Sequence, residues 1–386
     1  MPLALSGSTL QAWYTQAGID VQTIGMLSLL GLPYVLKFLW APALDRFPLS
    51  TLGRRRSWML LSQFGVIASL LLMASSSPSE QQFSLALFAL GLTLFSATQD
   101  IAIDAYRTEI LGERERGLGV GLAVGAYRVA LITAGAGALF VAHYYDFASA
   151  YVLMACLMIV GLGSAYFGPD SAVKENTGTL RDAVVRPFSV FCRREWWGVL
   201  LLLVVTYKLG DALAEKMTIT FLLREMSLTL AEIGAFYKTV GIAAAVIGGI
   251  VGGILMMKIR LFLSLLIFAC LQMLTNLGFV VLALTGPSYG AVLAVIIAEN
   301  LFGGMGTAAF VALVMALCDR RYTATQFALL TAIASLARVF SGPLAGTLVA
   351  AWDWTMFFAF TVIAGALPLL ILPIVRRQVS GLDAAV

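Results

Sequence analysis

The chain has 386 residues, 60% hydrophobic and 12% charged, with a net charge of +4. A soluble domain carries about twice that charged fraction, so a water-soluble globular protein is excluded and a helical protein crossing a membrane many times is indicated. Four cysteines (Cys156, Cys192, Cys270, Cys318) without paired spacing read as reduced packing residues, and the lone His143 excludes a histidine-rich metal site.

In chain order, hydrophobic segments run at 1–17, 21–44, 57–75, 83–105, 117–142, 148–168, 197–223, 231–257, 261–284, 289–317, 326–350 and 354–375. Twelve helices are expected. About 17 residues rise only about 25 Å against a hydrocarbon core of about 30 Å, so the first is short. Met1–Pro2 starts without a basic leader, and the expectation is that the start lies upstream or that this helix is short in its own right. No cleavable signal peptide is recognised.

Basic residues orient the helices. Arg46, Arg54, Arg55 and Arg56 lie between segments two and three, and Arg107, Arg114 and Arg116 follow segment four. Lys174, Arg181, Arg186, Arg193 and Arg194 fill the middle loop, and Lys258, Arg260, Arg320, Arg321, Arg376 and Arg377 complete the set. These are 18 of the 25 Lys and Arg, all on alternate connections, and the opposite connections hold at most Arg224. The positive-inside rule then makes both termini and the middle loop cytoplasmic. The charge is a topology signal, and a nucleic-acid partner has no support.

The polar interval 169–196 separates an N-terminal six-helix half, 1–168, from a C-terminal one, 197–386. Weak internal similarity points to duplication. Arg128 is followed by TAGAGALFVA and Arg338 by SGPLAGTLVA, each Arg lying 11 residues after Gly117 or Phe327. Segments two and eight both open on Ile-Gly, at Ile24–Gly25 and Ile233–Gly234. Two such halves around a central cavity describe the major-facilitator architecture, an all-α polytopic fold working by alternating access. The loop carrying Asp45, Arg46, Gly53, Arg54 and Arg55 is similar to the signature of that superfamily, with stretched spacing and Ala41 where a Gly is usual. Its charges either latch the cytoplasmic helix ends or only anchor the topology.

Six cations remain inside helices, Lys37, Arg128, Lys208, Lys216, Lys238 and Arg338, against Asp100, Asp104, Asp211, Glu215 and Glu299. Unpaired in lipid, the cations alone would cost about 18 kcal/mol, at about 3 kcal/mol each, more than a typical net stability. They are therefore paired or hydrated. Interhelical salt bridges could absorb nearly all of them, yet the spread of the charges of both signs over seven helices suits a wet cavity for an anionic polar solute. Near the end of segment four, Asp100, Asp104 and Arg107 share one stripe. A buried carboxylate beside a guanidinium is a candidate proton carrier, and equally a gate salt bridge. Glu299, beside Asn300 and the run Gly303–Gly306, is a second candidate, the glycines being read as helix-packing positions.

In Tyr207–Leu222, Lys208, Asp211 and Glu215 fall within about 60° of one another on a helix, with Lys216 about 80° off that stripe. The stripe is read as a binding surface, with packing glue as the alternative.

Over nearly its whole length the chain resembles the AmpG muropeptide permeases of the major facilitator superfamily. The matching stretches are PLALSGSTLQAW (2–13), LKFLWAPALDR (36–46), GRRRSW (53–58), ATQDIAIDAYRTE (97–109), YKLGDA (207–212), TFLLRE (220–225), GGILMMKIRLFLSLLIF (252–268), ENLFGGMGTAAFVAL (299–313) and ATQFALL (324–330). The resemblance implies proton-driven import of GlcNAc-anhydroMurNAc and its peptide-bearing forms from periplasm to cytoplasm, for cell-wall recycling. In Gram-negative bacteria this import also feeds β-lactamase induction. The implied setting is the bacterial inner membrane, with an anionic sugar-peptide substrate, protons and the lipid bilayer as partners, a monomer, and no cofactor or metal. Family members usually carry further residues before the position of Pro2, and some carry extra C-terminal helices.

Residue roles follow from the expected cavity rather than from the resemblance. Substrate carboxylates would pair with Lys208, Arg128, Arg338 and Lys238, next to Asp211 and Tyr207. Sugar hydroxyl and N-acetyl groups would meet Gln11, Ser6, Ser8, Thr9, Gln99 and Asn300. Proton coupling falls to Asp100, Asp104, Glu299 or Glu215. The alternatives are an importer of another anion such as a ferri-siderophore or acyl-CoA, a membrane enzyme or flippase, and a non-transporting receptor. The absence of a nucleophile–base constellation argues against the enzyme.

Overall fold

The computed structural model describes residues 1–47, 49, 53–110, 126–169, 191–318 and 323–382. The expectations placed on Arg114, Arg116, Gly117, Lys174, Arg181, Arg186, Arg320 and Arg321 lie outside the described residues, as do the side chains of Asp45 and Arg46.

Among the described residues eleven helical spans are long and apolar enough to cross a membrane. They are preceded by α1 (residues 2–16), which is helical throughout but short. The all-helical, multi-pass fold expected from composition is therefore observed. Within α1 a π turn at Leu5–Thr9 shifts the backbone ladder by one residue. Side chains satisfy carbonyls there: the Ser6 hydroxyl donates to Pro2 O at 3.0 Å, and the Tyr151 hydroxyl to Leu5 O at 2.9 Å.

Segment two is less regular than its hydropathy suggests. The span α2 (Val21–Leu39) passes through a 3₁₀ stretch at Leu27–Gly31 before Pro33, whose ring nitrogen cannot donate to the ladder. Trp40 then turns the chain into the short α3 (Ala41–Arg46). Gly53, at φ +94°, supplies the left-handed backbone from which α4 (Arg54–Ala74) begins. It is followed by α5 (Gln82–Ile110), α6 (Ala126–Tyr144) and α7 (Phe147–Phe167). Asp146 caps α7: its Oδ1 accepts the Ser149 N–H at 2.6 Å, and that bond holds its carboxyl below the usual carboxylate range.

Further along lie α8 (Trp197–Thr206), α9 (Leu209–Arg224), α10 (Leu230–Met256), α11 (Leu261–Thr285), α12 (Tyr289–Ala316), α13 (Thr323–Ala351), α14 (Trp354–Ile371) and α15 (Arg376–Leu382).

The chain forms two compact units. One comprises Met1–Asp20, Leu29–Thr177 and Thr229–Ala235; the other comprises Val21–Ser28, Gly178–Leu228 and Phe236–Val386. Two helices thus contribute their first turns to the unit that does not hold the rest of them. Small residues make both dockings possible. In the second unit a Cβ on Gly25 would sit 2.5 Å from Gly342 O, and one on Gly346 would sit 2.6 Å from Val21 O. In the first unit a Cβ on Gly234, near the start of α10, would sit 3.3 Å from Ala136 O of α6.

The second unit is built on a continuous apolar core that includes Phe191, Leu203, Phe268, Leu313 and Leu372. Close packing of α10 on α12 depends on glycine, as expected for the run Gly303–Gly306: Gly304 abuts the Ala245 carbonyl, and a Cβ on Gly252 would lie 2.8 Å from Met305 Cα. Phe221, Phe279 and Phe358 form a ring cluster joining α9, α11 and α14, with centroids 4.9 and 5.1 Å apart.

Candidate functional site

The stretch expected to carry a charged stripe on one helix opens with a break: Asp211 and Glu215 lie on α9, and Lys208 stands just before its first residue. The first, α8, ends at Thr206, and Lys208 takes φ −112° and ψ 11° before α9 begins at Leu209. Local chemistry explains the break. The Thr206 hydroxyl donates back to Leu202 O at 2.7 Å, a contact that bends helices. Two residues beyond Lys208, Gly210 passes so close to α14 that a Cβ would sit 2.7 Å from Gly365 N.

Ladder bonds resume on either side of the break, Tyr207 N–H donating to Leu203 O and Ala212 N–H to Lys208 O, each at 2.9 Å. Lys208 stands at the negative end of the first dipole and Asp211 in the first turn of the second, so each charge complements its half-helix. The two form an ion pair, Lys208 Nζ to Asp211 Oδ2 at 2.9 Å, and Lys208 also donates to Gly303 O at 3.2 Å. Their side chains are 16% and 18% exposed. A small open concavity lies beside Lys208, lined also by Val205, Ala212, Phe310 and Arg338.

Around this pair the same unit gathers more charge. Glu215 lies within electrostatic reach of Lys216, Arg338, Lys238 and Lys208. Glu299 is within reach of Asp211, Glu215, Lys208 and Lys238. Asn300 Nδ2 donates to Glu299 Oε2 at 2.8 Å and to Ile296 O at 2.9 Å, fixing that carboxylate on α12. The Lys238 ammonium sits 4.8 Å over the Tyr237 ring. Glu215 and Arg338 are exposed, whereas Lys238 and Glu299 are partly buried.

The first unit has a separate, sparser set. Lys37 and Asp100 stand 3.9 Å apart with side chains 35% and 47% exposed, and Arg107 pairs with Asp104. Arg128 and Tyr127 are exposed. Gln99 donates to Gln63, which donates in turn to Met158 O at 2.5 Å, so both glutamines tie helices together.

Several polar groups assigned to substrate are engaged within the fold. The Tyr207 hydroxyl donates to Leu265 O at 3.1 Å, and its ring stacks on Phe310 in the apolar core. Ser6 and Ser8 bond back to their own helix, and Thr9 donates to Ala134 O at 3.2 Å. Gln11 is partly buried and has an internal partner.

At the loop motif the structure supplies a residue the sequence reading did not single out. Glu109, at the end of α5, receives Arg55 Nε at 2.9 Å and Nη2 at 2.7 Å, with Arg54 Nη2 at 3.6 Å. Arg56 donates to Ala165 O at 3.2 Å and to Tyr166 O at the end of α7. These bonds join α4, α5 and α7 inside one unit. The signal was present, because Glu109 closes the stretch YRTE just where three adjacent arginines need a counter-charge.

Residues 1–298 match the family model of the Major Facilitator Superfamily. An anhydromuropeptide permease of Escherichia coli strain K12 is 42% identical over 380 residues, covering 98% of this chain and 77% of that protein. A putative transporter AmpG 4 of Rickettsia felis is 33% identical, covering 98% of this chain and 94% of that protein. Among solved structures, a peptide transporter in complex with sulfate superposes with a TM-score of 0.76 at 12% identity, covering 97% of this chain and 92% of that one. A bacterial homologue of the human lysosomal transporter Spinster, inward-facing and occupied, gives 0.71 at 13% identity over 97% and 93% of the two chains. At those identities the structural likeness speaks for the fold alone.

Proposed function

The chain belongs to the major facilitator superfamily, in the family of the anhydromuropeptide permeases, and on that premise we propose that it is a proton-coupled importer of anhydromuropeptides. The cargo is GlcNAc-anhydroMurNAc, with or without stem peptide, moved from periplasm to cytoplasm by alternating access. The chain sits in the bacterial inner membrane as a monomer with both termini cytoplasmic. Its two six-helix halves are 1–168 and 197–386, joined by the linker 169–196. The import serves peptidoglycan recycling and, through it, β-lactamase induction.

The observation that carries this reading is the interrupted helix at Lys208. Unwound backbone at membrane depth is tolerated where it lines protein or a cavity, and carriers place their binding sites at such breaks. Lys208, Arg338 and Lys238 hold the substrate carboxylate there, beside Asp211 and with Asn300 within the same unit. Arg128, Gln11, Gln99 and Tyr207 complete the proposed binding set, Tyr207 acting through the break it anchors. Asp100, Asp104, Glu299 and Glu215 are the proposed proton carriers, because each is a membrane-embedded carboxylate facing cations. Inward movement of an anion opposes the membrane potential by about 2.3 kcal/mol per charge per 100 mV, which proton symport offsets. Asp45, Arg46, Gly53, Arg54 and Arg55 act as the cytoplasmic gate, with Glu109 as its counter-ion. Uptake of the labelled disaccharide into proteoliposomes tests the reading.

A further inference from the structure

Where α10 turns into α11 and α14 into α15, the second unit carries four exposed cations that the transport site does not use. Lys258 and Arg260 precede α11, and Arg376 and Arg377 open α15, which packs on α11. Among the described residues none of the four has a carboxylate within ion-pair distance. Setting the topology asks only for positive charge on one side of the bilayer and leaves its placement open. Here the placement is fixed. The Arg376 guanidinium lies over the Phe262 ring of the neighbouring helix, 5.6 Å from its centroid. Such stacking holds the planar group in place and leaves its N–H fork to an oxyanion.

An apolar face runs away from these cations. Leu263, Ile267 and Leu274 are exposed at i, i+4 and i+11 on α11, so they share one face of that helix, with Arg260 at its head. Leu370 and Ile374 are exposed just before Arg376 and Arg377. We propose that this corner of the second unit is a binding site for an anionic phospholipid. Arg376, Arg260, Lys258 and Arg377 receive the headgroup phosphodiester, and the acyl chains lie along Leu263 and Ile267. Phosphate chemistry alone is shared by lipids and soluble phosphates, and the apolar face decides between them. A soluble phosphate gains nothing from that face, whereas acyl chains cover it. The bound lipid ties α15 to α11 at the surface, over the apolar core that Val375, Val379 and Leu261 share beneath it.

The test measures lipid binding to the full chain, delipidated in detergent, by native mass spectrometry. The probes are dioleoylphosphatidylglycerol, dioleoylphosphatidylcholine and inorganic phosphate. The native chain is expected to bind phosphatidylglycerol about tenfold more tightly than phosphatidylcholine, whose choline cancels the phosphate charge. Excess inorganic phosphate is expected not to displace it. Arg376→Gln combined with Arg260→Gln is expected to cut the preference to about twofold or less. Phe262→Leu leaves the charge unchanged but removes the ring under the guanidinium, and is expected to weaken phosphatidylglycerol binding about threefold. Arg193→Gln combined with Arg194→Gln removes the same charge from another basic segment of the unit and is expected to leave the preference intact. Equal binding of the two lipids by the native chain, or an equal loss in the Arg193 and Arg194 variant, would overturn the site and reduce the patch to a topology signal. Displacement of the lipid by inorganic phosphate would overturn it too, leaving an anion site without a lipid.

Discussion

Arg55 meets Glu109 with two nitrogens on one carboxylate oxygen, Nε at 2.9 Å and Nη2 at 2.7 Å, where the two side chains are only 7% and 10% exposed. A buried charge stripped of its partner is far more costly than the pair itself contributes. Glu109→Ala removes a buried counter-charge from Arg55, and from Arg54 at 3.6 Å, and is expected to lose about 3 kcal/mol of stability. The double variant Arg55→Met with Glu109→Met is expected to recover most of that loss. Thermal unfolding in detergent measures both, and equal losses in the single and double variants would contradict the account.

The Ser28 hydroxyl donates to Val339 O at 2.6 Å, and the reason lies four residues further on. Pro343 sits inside α13 and has no N–H to give to that carbonyl. Ser28 supplies the missing donor from α2, and Gly342 leaves it room. Ser28→Ala is expected to cost about 1–2 kcal/mol, because the carbonyl is then buried without a partner. In a Pro343→Ala background, where the helix can close its own ladder, the same substitution is expected to be nearly neutral. A cycle with equal Ser28→Ala costs in both backgrounds would refute the assignment.

Much of this architecture was legible in sequence because the bilayer is a simple solvent. Apolar runs of about 20 residues and the placement of Lys and Arg mark helices without any tertiary information. What could not be read was how helices deviate from regularity. The stripe of Lys208, Asp211 and Glu215 assumed 100° per residue straight through Tyr207, yet the chain breaks there under forces from elsewhere: Gly365 against Gly210, Leu265 O on the Tyr207 hydroxyl, Gly303 O on Lys208. Hydroxyls and amides that the sequence offers to a sugar likewise have internal partners that it does not reveal. Gln99 on Gln63 and Thr9 on Ala134 O are contacts that only packing decides.

Asp100 offers a way to separate coupling from gating. Its contact with Lys37 is long, at 3.9 Å, and both side chains are well exposed, so the pair adds less than about 1 kcal/mol to stability. Asp100→Asn is therefore expected to fold normally, to lose accumulation driven by a pH gradient, and to keep counterflow exchange of the substrate. Loss of both activities in a well-folded variant would assign Asp100 to a gate instead.

The account turns on substrate moving through a site built at the helix break, and proteoliposome uptake of labelled GlcNAc-anhydroMurNAc measures this most directly. The native chain is expected to accumulate the sugar when the outside is made acidic and only to equilibrate it without a gradient. Lys208→Ala, correctly folded and inserted, is expected to do neither. Uptake of a ferri-siderophore but no uptake of the sugar, or full uptake by Lys208→Ala, would contradict it.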